Sequence, residues 1–327
     1  MILSHSYTRE YLQQHKAAIA GILILGLVNS IVTFLLPLTL GDFFSIQYQE
    51  DGAKSKFLHS LGIHLTNFTS FFIFFVILLV VKLITGYFQG YLSGRQGELF
   101  VKKLREKIFY SQVNWPGETF QKKSFGNYLL RYTNDMKSLQ NYLVKGILEG
   151  IRTGIFVILG IVLLAGIDLS FAIAVLIILA LSLPFFRVLW KKQKLAVSSG
   201  RDKRSGMLAF VARKFSRFLL LKTRQSEVEA VERFNEKSSG LFNANIQTLK
   251  IENSIQVWIS IIPFLLIGIL LIMQAAGAIH LSHSNGLISV LILLMMQTSI
   301  RTLLKIPTVI NKGKISLQKI EELLNEN

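Results

Sequence analysis

Six long apolar runs constrain this chain more than any other feature of its sequence. About 20 consecutive apolar residues are needed for a helix to cross a bilayer. Runs of this kind lie near residues 17–40, 71–92, 147–167, 169–190, 255–276 and 287–304. The whole chain is 51% hydrophobic and only 17% charged, which disfavours a soluble globular fold. The sequence therefore predicts an all-α membrane protein with six long transmembrane helices.

Two polar connections between these runs also have a helical pattern. Residues 93–146 and 191–254 keep an apolar–polar periodicity. A helix running from 71 to 112 is about 60 Å long, about twice the hydrocarbon thickness. Trp115-Pro116-Gly117 breaks the first extension, because proline lacks an N–H donor and disfavours helix in the residue before it. We therefore expect two helical hairpins that extend well beyond the membrane.

The distribution of charge predicts the topology. Residues 93–140 contain nine Lys/Arg against four acids, and residues 187–253 contain fifteen against six. Residues 41–68, on the opposite side, contain only two lysines. By the positive-inside rule both termini and both hairpins are cytoplasmic, and the short loops favour a bacterial inner (plasma) membrane. The net charge of +17 then reflects the membrane topology, and the expected partner is the lipid bilayer. Nucleic-acid binding is not expected, because it also requires aromatic residues interleaved with the basic ones.

Several spaced motifs carry a resemblance to a known family. They are GRQGELFVKKLREKIFYSQV at 94–113, the spaced set Phe120, Gly126, Arg131, Asn134 and Asp135, the run from Leu169 to Pro184, and the tail KISLQKIEELL at 314–324. Together and in this order, they resemble the transmembrane domain of ABC transporters of the type I exporter kind. The resemblance covers nearly the whole chain as a single domain, 1–327, and its tail at 308–327 resembles the handover segment to an ATPase domain.

The resemblance implies a function. It implies the membrane subunit of an ATP-driven exporter that moves an amphipathic, lipidic or peptide cargo by alternating access. It also implies a dimer with a second transmembrane domain, identical or different, in which helices four and five cross to the partner. A non-transporting membrane scaffold or sensor with the same fold is the alternative interpretation.

The ATPase machinery is expected outside these residues. The sequence contains no G-x-x-x-x-G-K-[ST] motif to cradle phosphates. ATP and Mg are therefore expected to act through an ABC ATPase domain, fused or separate, and the position of the tail favours a fused one. No catalytic set occurs in the sequence. His280 and His283 lack a nearby carboxylate or thiolate, so we expect no metal site.

The tips of the two hairpins are the candidates for coupling to the ATPase. By resemblance they are short docking elements, and exposed aromatic side chains beside charges suit such an anchor. An ordinary turn with self-packed aromatic side chains is the alternative. At the second tip, arginines stand at 213 and 217 where the family often has Glu and Gly. The candidates are Trp115, Pro116, Gly117, Glu118, Thr119 and Phe120 at the first tip, and Arg213, Lys214, Phe215, Ser216, Arg217 and Phe218 at the second.

Polar residues inside the apolar runs are the candidates for a cargo cavity. Ionisable groups within a bilayer are costly and usually face a cavity or a partner. Lys82 is one such group, although its side chain could also snorkel to the interface. Arg152 can instead form a structural triad with Lys145 and Glu149, and the remaining groups can instead join helices. The candidates are Lys82, Arg152, Gln274, Gln297 and Arg301.

Overall fold

The computed structural model describes residues 3–48, 67–117, 128, 131–277, 279 and 283–324, and these residues are almost entirely helical. Six of the helices are long and apolar enough to cross a membrane, which confirms the predicted fold class. We number the helices in chain order. They are α1 (Leu3–Gln14), α2 (Lys16–Tyr48), α3 (Phe68–Val113), α4 (Arg131–Ile167), α5 (Leu169–Ser216), α6 (Phe218–Thr223), α7 (Glu227–Ala275) and α8 (His283–Leu324).

The long helices continue far beyond their apolar runs. Helices α3, α5 and α7 have 46, 48 and 49 residues, so each is about 70 Å long. The polar ends of α3 with α4, and of α5 with α7, form the two extensions. Helix α3 ends at Val113, just before the predicted break at Trp115-Pro116-Gly117. The next part of the first tip, residues 118–127, lies outside the described residues.

A single residue separates α4 from α5. The Asp168 backbone is extended, with φ −153° and ψ 119°, and its carboxylate accepts a hydrogen bond from the Phe171 N–H at 2.9 Å. An aspartate at this position satisfies one of the free N–H groups at a helix start. The adjoining apolar runs 147–167 and 169–190 are therefore joined by a tight turn.

The membrane half of the bundle has one main apolar core. Helices α5 and α7 pack along each other, and α2 packs along α3, while α4 and α8 lie together between these pairs. The core combines buried side chains from α2, α4, α5, α7 and α8, including Phe34, Leu164, Val175, Ile259 and Ile292. Apolar side chains that remain exposed on the outer faces, such as Leu83 and Leu181, suit contact with lipid.

A second apolar core holds the extensions together. Helix α1, which the sequence reading did not predict, packs on α3 through Tyr11, whose ring lies 4.9 Å from that of Phe100. The Tyr11 hydroxyl donates to the Gln96 backbone carbonyl at 2.9 Å. Burial raises the pKa of Tyr11 to about 12, so the hydroxyl remains protonated and can donate this hydrogen bond well above neutral pH. The end of α8 adds Leu317 and Ile320 to this core.

Helix α4 is irregular in its first half. Two π-helical segments, Arg131–Asp135 and Tyr142–Leu148, flank the α-helical Met136–Asn141, and regular α-helix follows over Glu149–Ile167. Such wide turns change which side chains face a neighbouring helix. They place Asp135 toward α5 and α8, where it forms the polar cluster described below.

Candidate functional site

A polar cavity of about 520 Å³ lies between α2, α3, α4 and α8. Its volume falls within the range of small-molecule sites, about 300–1,000 Å³. All of the lining residues fall within the apolar runs 17–40, 71–92, 147–167 and 287–304, so the cavity lies at the level of the membrane half of the bundle. Most of its lining side chains are polar: Asn29, Ser30, Thr33, Lys82, Gln89, Glu149, Arg152, Thr153, Thr298, Ser299 and Thr302.

Arg152 is held firmly in one wall of the cavity. Its guanidinium lies 3.7 Å from the Glu149 carboxylate. With the Gln89 amide oriented so that both of its ends are satisfied, the Gln89 oxygen accepts from Arg152 Nη1 at 2.5 Å and from Nε at 3.1 Å. Gly26 leaves room for this side chain, because a Cβ there would meet Arg152 Cγ at 2.9 Å. The charge of Arg152 is thus largely satisfied by protein groups.

Lys82 lines the same cavity from α3. It lies near the middle of the run 71–92, about 15 Å from either end, so a lysine stem cannot carry the ammonium to the interface. The Lys82 backbone carbonyl accepts a hydrogen bond from Asn29 Nδ2 at 3.2 Å, which fixes α2 against α3 at this level. Among the described residues, no carboxylate pairs with the Lys82 ammonium group.

A second polar cluster joins three helices beyond the apolar runs. Asp135 of α4 accepts from Arg131 at 2.5 Å and from the Ser316 hydroxyl of α8 at 2.9 Å. Arg201 of α5 lies 3.7 Å from Asp135 and donates to Ser316 Oγ at 2.7 Å and to Ser138 Oγ at 3.1 Å. Burial lowers the pKa of the Arg201 guanidinium, and the Asp135 carboxylate counteracts this. The cluster fixes α5 and α8 against α4.

The second hairpin tip contains a short helix that exposes apolar side chains. Helix α5 ends at Ser216, and the six-residue helix α6 follows from Phe218. The tip therefore spans Arg217 to Ser226, a few residues later than predicted, and Arg213 to Ser216 form the last turn of α5. Phe215 is 68% exposed and Leu219 is 81% exposed. The sequence reading included Phe215 and Phe218 but missed Leu219 and Leu220, although three consecutive leucines at 219–221 mark an apolar surface in a polar segment.

The expectation of an exposed Trp115 is wrong. Its side chain is only 8% exposed, and its ring packs edge-on against Tyr128 at 5.9 Å. Met136 of α4 and Leu323 of α8 belong to the same apolar core. The tryptophan stabilises the base of the first tip, because several neighbouring helices offer it apolar contacts that the local sequence does not show. Glu118, Thr119 and Phe120 lie outside the described residues.

A comparison with protein families decides what kind of protein this geometry belongs to. The family model for the ABC transporter transmembrane region matches residues 18–302. This chain belongs to that family. A comparison with curated proteins found no match. The family assignment makes this ABC transporter domain an integral membrane protein that works with an ATPase partner.

The ABC transporter domain brings together two of the five residues predicted for its cavity. Lys82 and Arg152 line the cavity, whereas Gln274, Gln297 and Arg301 are not among its lining residues. Arg152 pairs with Glu149, while Lys145 is exposed and has no ion pair among the described residues. The sequence reading missed the uncharged groups from α2 and α8, such as Asn29 and Thr298. In the sequence, these groups could be recognised only as single polar residues within apolar runs.

Proposed function

We propose that this chain is the membrane domain of an ATP-driven exporter that moves an amphipathic, lipidic or peptide cargo by alternating access. The proposal rests on a continuous connection, through packed helices, between the cavity and the second hairpin tip. A polar cavity at the membrane level lies between helices that are held to α5 and α8 by the Asp135 cluster. Helix α5 then runs unbroken to an exposed apolar tip. A movement imposed on the tip thus has a rigid path to the cavity.

The exposed tip and the last turn of α5 before it support coupling to an ATPase domain that binds ATP and Mg. Phe215 and Leu219 expose most of their surface although they lie in a strongly basic extension. Apolar anchors surrounded by charge are typical of protein contacts. The excess of Lys and Arg in the extensions supports a cytoplasmic tip and cytoplasmic termini, where ATP is available, and we propose a bacterial inner membrane as the location.

An apolar stripe on α7 supports a dimer of two membrane domains. Val228, Val231, Phe242 and Leu249 are all at least half exposed. At 100° per residue they fall within a sector of about 60°, on the side opposite the buried Ala244. A stripe of this kind in an extension beyond the membrane is covered when a second membrane domain packs against α7.

The tip provides the test of this function. We expect replacement of Phe215 and Leu219 together by alanine to reduce ATP-dependent transport at least tenfold and to weaken retention of the ATPase. Both side chains are exposed, so stability should change by less than about 0.5 kcal/mol for each replacement. Transport is measured in inside-out vesicles of the natural membrane, with fluorescent anionic, zwitterionic and neutral amphiphiles.

Leu181→Ala is the matched control for this double variant. Leu181 is 71% exposed on the membrane part of the same helix, α5, and should leave transport unchanged. Full transport by the Phe215/Leu219 variant would reject coupling through this tip. Absence of any ATP-dependent transport and of an associated ATPase in the unmodified protein would instead favour the scaffold or sensor.

A further inference from the structure

The charge inside the cavity is unbalanced. Two cations, Lys82 and Arg152, line it, and Glu149 is the one carboxylate among its described lining residues. The Glu149 carboxylate lies 3.7 Å from the Arg152 guanidinium, so its negative charge balances Arg152 and not Lys82. A lone ammonium group at this depth of a bilayer costs several kcal/mol unless something compensates it. Among the described residues, the cavity therefore has one positive charge, that of Lys82, without a paired carboxylate.

Solvation by protein groups only partly compensates Lys82. The nearby Asn29 amide donates through Nδ2 to the Lys82 carbonyl and to Thr85 Oγ1, and its oxygen is an acceptor without negative charge. Hydroxyls on the facing helix α8, at Thr298 and Thr302, donate to their own helix backbone. The oxygens of these hydroxyls can accept hydrogen bonds but carry no negative charge. The cavity therefore has room for an anion and offers a cation to hold it.

Part of the cavity wall is apolar. Phe156 and Met295 line it together with the polar groups, and Phe156 stacks on Phe34 at 4.3 Å. A ligand that satisfies the whole cavity thus needs an acidic group near Lys82 and an apolar part against these side chains. A purely apolar ligand would leave the ammonium group unpaired and desolvated, at a cost.

We propose that the cargo carries a phosphate or carboxylate group that forms an ion pair with the Lys82 ammonium inside this cavity. The inference rests on the proposed function and names the class of cargo for it. Lys82 selects for the acid, and Arg152, already held by Glu149 and Gln89, shapes the wall. The acid can belong to a lipid headgroup or to a soluble organic anion, which share this chemistry.

Direct binding tests the inference without ATP. The chain contains no cysteine, so Ser299→Cys places a single thiol in the cavity wall. The rate at which a maleimide modifies this thiol, in nanodiscs of zwitterionic lipid, reports occupancy. The probes are dodecyl phosphate, dodecylphosphocholine and butyl phosphate. We expect dodecyl phosphate to slow modification with at least tenfold higher affinity than dodecylphosphocholine.

Variants of Lys82 make the expectation specific. Lys82→Gln should lower the affinity for dodecyl phosphate about tenfold and abolish the preference over dodecylphosphocholine, whereas Lys82→Arg should keep both. Lys145→Gln removes an exposed lysine of α4 outside the cavity and should behave like the unchanged protein. Thermal unfolding in the same nanodiscs shows whether each variant is folded. An unchanged anion preference in a folded Lys82→Gln variant would overturn the inference.

The remaining outcomes distinguish a lipid from a soluble anion, and they distinguish failure of the anion site from failure of the exporter. Protection by butyl phosphate as well as dodecyl phosphate identifies a soluble organic anion, and protection by dodecyl phosphate alone identifies a lipid. ATP-driven transport of neutral amphiphiles that is unaffected by Lys82→Gln would overturn the inference but keep the exporter. Selective anion binding without any ATP-driven transport would reject the exporter and keep an anion site.

Discussion

Asp135 joins charged and polar side chains of three helices, α4, α5 and α8. Its carboxylate lies between Arg131 and Arg201, and the Ser316 hydroxyl also donates to it. The side chains of Asp135 and Arg131 are 9% and 14% exposed, so water reaches the cluster only partly. Without the carboxylate, two guanidinium groups would face each other across a partly buried space.

Asp135→Ala is therefore expected to destabilise the domain by about 3–5 kcal/mol, the usual cost of removing one partner of a buried ion pair. Denaturant unfolding of the detergent-solubilised domain measures this cost. Asp202→Ala is the control, since the Asp202 side chain is 66% exposed and its pair with Lys319, at 3.1 Å, should contribute less than about 1 kcal/mol. Equal effects of the two replacements would show that the Asp135 cluster does not hold the helices together.

At the scale of the helices, close approach depends on small residues at a few crossings. Gly313 of α8 lies directly against the Tyr142 side chain of α4. A Cβ added at Gly313 would meet Tyr142 Cβ, and it would lie 2.6 Å from Cγ. Because Tyr142 Cβ is attached to the backbone, no rotamer change moves it away. The two helices must separate to accept any larger residue.

Gly313→Ala should consequently destabilise the domain by about 1–3 kcal/mol, the typical cost of overpacking. Gly206→Ala is the matched control. No atom lies within 4 Å of a Cβ added there, and alanine should stabilise an exposed helix position by about 0.5–1 kcal/mol. Thermal unfolding of both variants in detergent measures the difference, and a change of the same sign in both would contradict the packing of α8 on α4.

At the scale of the whole molecule, the dimer can be tested through the absence of cysteine. Phe242→Cys puts a thiol in the apolar stripe of α7, and Gln247→Cys puts one about 140° around the same helix. Both positions are exposed. In native membranes, a short bifunctional maleimide should produce a species of twice the subunit mass from Phe242→Cys and little from Gln247→Cys. Equal yields would place the interface elsewhere.

Much of the fold was predictable from the sequence, because its signals are local. A run of about 20 apolar residues fits only in a membrane or a large protein core. Each membrane-crossing helix can therefore be recognised from its own residues, without knowing which helices pack against it. The break at Pro116 and the turn at Asp168 also follow from the chemistry of single residues. Among the described helices, α1, which is too short and polar for this criterion, and the π-helical segments of α4 were not predicted, and α6 lies a few residues beyond the predicted second tip.

The candidate sites were less predictable, because they depend on residues that are distant in the chain. Lys82 and Arg152 are recognisable as unusual groups in apolar runs, but which of the polar residues share a cavity depends on how four helices are rotated about their axes. Neighbouring positions on a helix point about 100° apart, so an error of one position in which residue faces a neighbour turns a side chain away from the cavity. Gln274 and Arg301, equally polar in the sequence, therefore lie away from the cavity.

The sequence by itself determined that the chain crosses a membrane six times and extends two basic hairpins beyond it, since hydrophobicity and charge act through each segment's own contact with lipid and water. The tertiary structure alone decided that Trp115 is buried, that Asp135 meets Arg201 and Ser316, and that Lys82 faces a cavity in which no carboxylate of the described residues pairs with it. These features depend on the free energy of contacts between helices, which no single segment contains.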